Sequence, residues 1–337
     1  MTEVFVNGRV LRRPPGGVQR YATELATALD AHVIEPRSAR FPWSARVWEQ
    51  TVLPARARRG VLVNPAHAAP LAHRKSVVVV HDLFAIDRPH EVRRSFAELM
   101  ARQLPAAIRA AAAVVAVSQT VADEVADRFG IDRSRVAVAP PGVSPAFSPG
   151  DRRSARQRLG LPDDRPVVST LYDPAPRKRG VDALAALDAL ASNDDVHTVA
   201  AGRPAASFAR ATDRPATSRV NWIHAPDDAS LADLWRASDV VLAASPHEGF
   251  GLPPVEAAAC GAAVISRPVP SVTIHGAGAA HVVDGPTDDL IDATRELLAD
   301  PEERDRRRCL GMAAVGHLRW KHTAENVQTV IDDLEAR

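Results

Sequence analysis

The sequence predicts an α/β protein with parallel sheets, divided into two similar halves. Short β-rich runs alternate with Ala-rich helical segments along all 337 residues, the pattern of strands joined by crossover helices. A Pro/Gly/Ser-rich stretch, Pro140-Pro141-Gly142-Val143-Ser144-Pro145 through Ser148-Pro149-Gly150, falls near the middle and reads as a linker. Residues 245–261, Ser-Pro-His-Glu-Gly-Phe-Gly-Leu-Pro-Pro-Val-Glu-Ala-Ala-Ala-Cys-Gly, follow a short apolar run and read as strand, glycine turn and short helix. Such a unit sets free backbone N–H groups and a positive helix end at the carboxyl edge of a sheet, where phosphates bind.

Taken in order, strands are expected at 4–6, 61–64, 77–81, 114–117 and 136–139 in the first half. In the second they are expected at 166–171, 196–201, 220–224, 240–244, 262–266 and 281–283. Helices are expected at 20–29, 95–112, 119–129, 181–191, 231–237 and 288–298, with a short one after the glycine turn. Pro253 and Pro254 suit that short helix's first turn and Gly261 its end. Two domains of about 150 residues each are an ordinary size for single hydrophobic cores.

Composition excludes several classes. Hydrophobic content of 46% and charged content of 25% are those of a globular protein. No stretch reaches the roughly 20 apolar residues of a membrane span, and the N-terminus reads as a strand and not as a signal peptide. Cys260 and Cys309 lack metal-ligand spacing, so free thiols in a reducing cytoplasm are expected. Aromatic residues, at 4%, are too few for nucleic-acid stacking platforms. The net charge of +1 hides an asymmetry: residues 1–150 carry 20 basic and 13 acidic side chains, net +7, and the remainder is net −6. A basic first half suits an anionic acceptor or membrane surface, and a solvated surface of uneven charge is the alternative. Only Lys75, Lys178 and Lys321 are lysines, so arginine is the usual cation here.

Four places carry candidate chemistry. Gly16-Gly17, after the first strand and before a helix, would let backbone approach a ligand phosphate, with Gln19 and Arg20 able to orient a polar partner. His81-Asp82 follows the run Ser76-Val77-Val78-Val79-Val80, placing a histidine at a strand's carboxyl edge. It could bond a sugar hydroxyl or move a proton, or merely cap the next segment. Arg177-Lys178-Arg179-Gly180 sets three cations in a strand-to-helix turn, which suits a diphosphate or a solvated basic turn. Glu248 and Glu256 could be taken for paired acid/base carboxylates. One lies in the turn and one on the helix, however, so they suit hydrogen bonds from ligand hydroxyls better.

Together these motifs resemble retaining nucleotide-sugar glycosyltransferases of family 4, whose signature Glu-x7-Glu matches Glu248 through Glu256. The likeness runs in order along the chain: Gly16-Gly17-Val18-Gln19-Arg20-Tyr21, His81-Asp82, Val115-Ala116-Val117-Ser118, Val138-Ala139-Pro140-Pro141-Gly142-Val143, Pro176-Arg177-Lys178 and Arg319-Trp320-Lys321-His322-Thr323-Ala324. The resemblance implies the GT-B fold, two Rossmann-like domains facing across a cleft with the C-terminal helix crossing back to the first. An acceptor-binding domain would span 1–148 with the helix at about 318–337, and a donor-binding domain 151–317. Glu256 would hold the donor ribose. Glu248 and the N–H groups of Gly249, Phe250, Gly251 and Leu252 would hold the sugar and diphosphate. Arg177 and Lys178 would neutralise the leaving diphosphate, and His81 would contact the transferred sugar. Gly16 and Gly17 would close over the phosphates, with Gln19 and Arg20 toward the acceptor.

The implied activity is retaining transfer of a hexose, mannose among the candidates, from a nucleotide-diphosphate sugar to a glycan, glycolipid or small acceptor. No cofactor, metal or nucleic acid is expected. A cytoplasmic location is expected, with peripheral contact between the basic first domain and an anionic membrane. A nucleotide-sugar 2-epimerase and a catalytically silent sugar-nucleotide binder are the rivals. The silent reading rests on Tyr172, where glycine is usual, and on Asp173 after it; Pro141, Thr273 and Ile274 are further departures from the family pattern, outside the central motif.

Overall fold

The computed structural model describes residues 3–12, 16–36, 42–202, 219–276 and 279–336. It divides into two compact units, residues 1–89, 94–142 and 318–337 in the first and residues 90–93 and 143–317 in the second. The division at Gly142 and Val143 lies inside the Pro/Gly/Ser-rich stretch.

The first unit is built on a six-stranded parallel sheet: β1 (Val4–Asn7), β2 (His32–Ile34), β3 (Val61–Asn64), β4 (Ser76–Val80), β5 (Ala113–Ala116) and β6 (Val136–Val138), in the order β2-β1-β3-β4-β5-β6. β3 and β4 are buried at every position, as strands covered on both faces must be, and this is why they read as continuous apolar runs. Its longer helices are Gly17–Ala28, Pro42–Arg56, Arg94–Ala110, Gln119–Phe129 and Trp320–Glu335. The helix Gln119–Phe129 is bounded by sequence-readable signals: Ser118 accepts from the Val121 N–H, and Gly130 closes it in the left-handed conformation.

The second unit repeats the plan with β7 (Val167–Tyr172), β8 (His197–Gly202), β9 (Asn221–His224), β10 (Val240–Ala243), β11 (Ala263–Ser266) and β12 (His281–Val282), ordered β12-β11-β10-β7-β8-β9. Every strand pairing in both sheets is parallel. Its core gathers Val168, Leu184, Leu187, Leu190, Ala200, Val240, Leu242 and Ile265 between the sheet and the helices Gly180–Asn193 and Thr287–Ala299. Among the described residues no helix is long and apolar enough to cross a membrane.

Several elements escape the sequence reading. The strand β2 is three residues long with two exposed positions, too short for alternation to register. The helix Pro42–Arg56 contains Pro54, which argues against helix when read locally. The helix Arg152–Leu159 reads Arg-Arg-Ser-Ala-Arg-Gln-Arg-Leu, with no apolar stripe. It is held by polar contacts instead: Arg156 pairs with buried Asp239 at 2.7 Å and Arg152 with the same carboxylate at 2.5 Å. Its caps, Asp151 and left-handed Gly160, were the available signal. The helix Pro301–Val315 was likewise too polar for its period to stand out.

Candidate functional site

In each sheet the winding reverses beside its first strand, between β7 and β10 in the second unit and between β1 and β3 in the first. Such reversals open a crevice outside the strands' carboxyl ends, where open α/β sheets take their ligands. The residues singled out in the second unit follow β7 and β10, the two strands that flank its reversal.

After β7 the chain turns through Asp173, whose carboxylate accepts from the Ala175 N–H at 2.8 Å. This Asx turn leads into a single 3₁₀ turn, Pro176–Lys178, closed by the Lys178 N–H to Ala175 carbonyl bond at 2.9 Å. Arg179 follows in the left-handed region, φ 50°, and opens the helix Gly180–Asn193. The unexpected acid beside the cations therefore folds the turn that presents them. Tyr172 has a structural place too, buried at the end of β7 with its ring edge-on to Trp222 at 5.3 Å.

After β10 the loop carries Ser245 and Glu248. Lys178 Nζ donates to Glu248 Oε1, and Arg177 Nη1 lies 3.7 Å from Oε2. Ser245 Oγ donates to the Arg177 carbonyl at 3.4 Å, tying the two loops together. Burial raises the Glu248 pKa, but the charges of Lys178 and Arg177 and the bonds from Lys178 and Ser245 outweigh it, so the carboxyl titrates below its ordinary value. Two cations thus converge on one carboxylate at the carboxyl edge of the sheet.

Gly249, Phe250 and Gly251 lead into the helix Leu252–Ala259. Gly251 has φ 98°, and a Cβ there would meet Ser271 Oγ at 2.9 Å and Val269 Cγ2 at 3.0 Å, so both conformation and space demand glycine. Ser271 fixes the loop from the next element: its N–H donates to the Phe250 carbonyl at 2.8 Å and its hydroxyl to the Gly251 carbonyl at 2.7 Å. Glu256 is buried on the helix, 4% exposed. The two glutamates are therefore held by different elements. Of the departures named above, Thr273 bonds its hydroxyl to the Val269 carbonyl and Ile274 is exposed.

In the first unit His81 is buried just beyond β4. Its Nε2 lies 2.7 Å from the Pro65 carbonyl oxygen, which can only accept, so Nε2 carries the proton and Nδ1 the lone pair when the ring is neutral. Burial, then the neighbouring His67, lowers its pKa to about 4 against the opposing pull of Pro65 and Asp82. At neutral pH it is therefore a neutral imidazole and a poor proton donor. Tyr21 lies edge-on to the His81 ring at 5.1 Å and to Trp320 at 5.7 Å, and its hydroxyl donates to the Ala139 carbonyl at 3.1 Å.

Gly16 is the N-cap of the helix Gly17–Ala28 in extended backbone, and its carbonyl accepts from the Arg20 N–H at 2.9 Å. Gln19 and Arg20 lie in that helix's first turn, while Arg13, Pro14 and Pro15 of the same loop fall outside the described residues. Arg177, Lys178, Glu248, Gly249, Phe250, Gly251, Leu252 and Glu256 thus belong to the second unit, and Gly16, Gly17, Gln19, Arg20 and His81 to the first. Sequence reasoning missed Ser245 and Ser271, single hydroxyls without a motif. It also missed a buried group of Asn7, Arg9, Glu49 and Asn64, although Asn7 and Asn64 each end a strand reading Val-x-Val-Asn.

Known proteins resemble this chain in sequence and in fold. The model of the glycosyl transferases group 1 matches residues 151–309, and that of glycosyltransferase family 4 matches residues 59–147. A D-inositol 3-phosphate glycosyltransferase from Actinosynnema mirum is 30% identical over 294 residues, 81% of this chain and 67% of that protein. One from Nocardia farcinica is 30% identical over 289 residues, 80% of this chain and 62% of its own length. The chain spans about three fifths of the length of the curated relatives it matches first. Among solved structures, Alr3699/HepE from Anabaena, crystallised with UDP and glucose, superposes with a TM-score of 0.76 at 16% identity, over 98% of this chain and 100% of that one. That likeness and the two six-stranded parallel sheets give the GT-B fold. From its sequence relatives and from both family models, the chain belongs to glycosyltransferase family 4.

Proposed function

We propose that the protein transfers a hexose, with retention of anomeric configuration, from a nucleotide-diphosphate sugar to a hydroxyl of a glycan, glycolipid or small polyol. The observation that carries this reading is the convergence of Lys178 and Arg177 on Glu248 beside the Gly251 turn and the helix Leu252–Ala259. Breaking a glycosyl–phosphate bond develops positive charge on the sugar and negative charge on the departing diphosphate. Preorganised cations and N–H groups at the leaving oxygen are worth several kcal/mol in such a transition state. Arg177 and Lys178 supply that charge, the N–H groups at Gly249 to Leu252 supply donors, and Glu248 and Glu256 accept from sugar and ribose hydroxyls.

Retention follows from attack on the face the diphosphate leaves, with a diphosphate oxygen taking the acceptor's proton. His81, neutral at pH 7, is a poor proton donor and is given no acid/base role in this transfer. The names of the inositol 3-phosphate glycosyltransferases and the UDP complex of HepE support a nucleotide donor and a polyol among the acceptors.

The test is a panel of UDP-, GDP-, dTDP- and ADP-sugars with and without acceptor extract, run also in EDTA because the cations do the neutralising. Acceptor-dependent release of nucleoside diphosphate is the expected outcome. An isomerised donor without transfer would replace this reading with a 2-epimerase, and binding without turnover with a silent binder. Lys178→Ala is expected to lower kcat about 100-fold or more with little change in donor KM, in line with the loss of one transition-state donor. Glu256→Ala is expected to weaken nucleotide binding instead. Unchanged kinetics in both variants would sink the site assignment.

A further inference from the structure

The first unit contains a buried polar group that none of the donor-holding residues touches. It lies where β1 and β3 end, beside the reversal of that sheet's winding. Asn7 and Asn64, the last residues of the two strands, are 4% and 0% exposed, and Glu49 of the helix Pro42–Arg56 is 2% exposed. Asn7 Nδ2 donates to Glu49 Oε1 at 2.8 Å and to Asn64 Oδ1 at 3.1 Å. Asn64 Nδ2 in turn donates to Ser76 Oγ at 2.9 Å and to the Val77 carbonyl at 3.2 Å. Arg9, just past β1, donates Nε to the same Glu49 Oε1 at 2.9 Å, and its backbone N–H donates to Asn7 Oδ1 at 3.2 Å.

Both bonds to Glu49 fall on one oxygen. Among the described residues, Glu49 Oε2 and the two Nη groups of Arg9 have no hydrogen-bond partner. Desolvating a carboxylate this deeply is costly, and well-packed apolar residues would hold a helix on a sheet at least as well. The arrangement instead presents a carboxylate oxygen beside a guanidinium edge, at the crevice where such sheets bind ligands. An alcohol can donate to the first and accept from the second. The pair is neutral overall, so a phosphate drawn by Arg9 would be opposed by Glu49.

We infer that Arg9 and Glu49 bind adjacent hydroxyls of a neutral sugar or cyclitol ring, the acceptor, with Asn7 and Asn64 as positioning residues that fix the Glu49 carboxylate. The inference rests on the reading that the protein glycosylates a hydroxyl acceptor, and it adds which residues of the first unit recognise that acceptor.

Saturation-transfer NMR on the full chain, with myo-inositol, methyl α-mannoside and methyl α-glucoside as neutral probes, glucose 6-phosphate as the phosphorylated control, and UDP or GDP present, tests it apart from turnover. At least one neutral probe is expected to bind the wild type. Glu49→Gln and Arg9→Lys are each expected to weaken that probe about 10-fold or more, the loss typical of a bond to a charged group. Nucleotide affinity is expected to change less than about two-fold, because Arg177, Lys178, Glu248 and Glu256 lie in the other unit. Arg9 is partly exposed, so Arg9→Lys carries the test should Glu49→Gln fail to fold. The inference is overturned if no neutral probe binds the wild type, or if both variants bind as the wild type does. It is overturned equally if only phosphorylated sugars bind and Glu49→Gln strengthens them. Failure of the donor panel would remove the transferase reading while leaving this binding result to stand.

Discussion

His81 illustrates how burial decides what a residue type can do. A histidine at a strand's carboxyl edge reads as an acid/base candidate, yet its bond to the Pro65 carbonyl and its burial keep it neutral. The sign of its linkage follows from the two pKa values. The unfolded side chain takes up a proton near 6.5 and the native one only near 4. Its contribution to stability is therefore intact above pH 6.5 and is lost as pH falls toward 4. His67, also lowered by burial, acts in the same direction. Titration of the ring followed by NMR is expected to place His81 near 4, and His81→Gln is expected to flatten the fall of Tm between pH 6.5 and 4. A native pKa at or above 6.5 would refute the neutral-imidazole role. The Glu248 pKa is lowered as well, but by a different balance: burial raises it and two cations outweigh that, so its contribution too is lost as pH falls.

At the scale of elements, the C-terminal helix Trp320–Glu335 belongs to the first unit although it follows the second in sequence. Trp320 packs edge-on against Tyr21, and the Thr323 hydroxyl donates to the Pro140 carbonyl at 2.6 Å. The approach is close: a Cβ on Gly142 would meet the Trp320 nitrogen at 2.2 Å and the Arg319 carbonyl carbon at 2.5 Å. Gly142→Ala must push the helix start away, at a cost of about 1–3 kcal/mol by analogy with other overpacked contacts. Amide exchange in residues 320–335 is expected to accelerate, with β7 to β12 unchanged. Wild-type protection in that helix would show that the backbone yields without strain. Elsewhere, elements with an apolar period or clear caps were legible in the sequence. Those held by ion pairs, such as Arg152–Leu159 on Asp239, were not, because a charge pattern does not name its partner.

At the scale of the whole molecule, the chain is two α/β units of one plan, and binding to either should register in that unit. A nucleoside diphosphate that binds the native second unit stabilises it by mass action, about 2.7 kcal/mol at a concentration 100 times Kd. Hydrogen exchange with UDP or GDP is expected to slow at 176–180 and 245–256, while β1, β3 and β4 stay unchanged. Protection confined to the first unit would contradict the donor assignment.

The sequence by itself determined the alternation of strand and helix, the two halves and the places of Lys178, Glu248 and Glu256. Local period, turn chemistry and motif order are properties of neighbouring residues. Only the tertiary structure decided that Lys178 and Arg177 meet Glu248 about seventy residues away, that Asp173 folds their turn, and that His81 is neutral. It alone brought Asn7 of one strand's end to Asn64 of the next strand but one, and Asn7 and Arg9 together to Glu49 of a helix. Strand order sets these meetings, and strand order follows from how crossovers bury apolar faces, which no local stretch of sequence encodes.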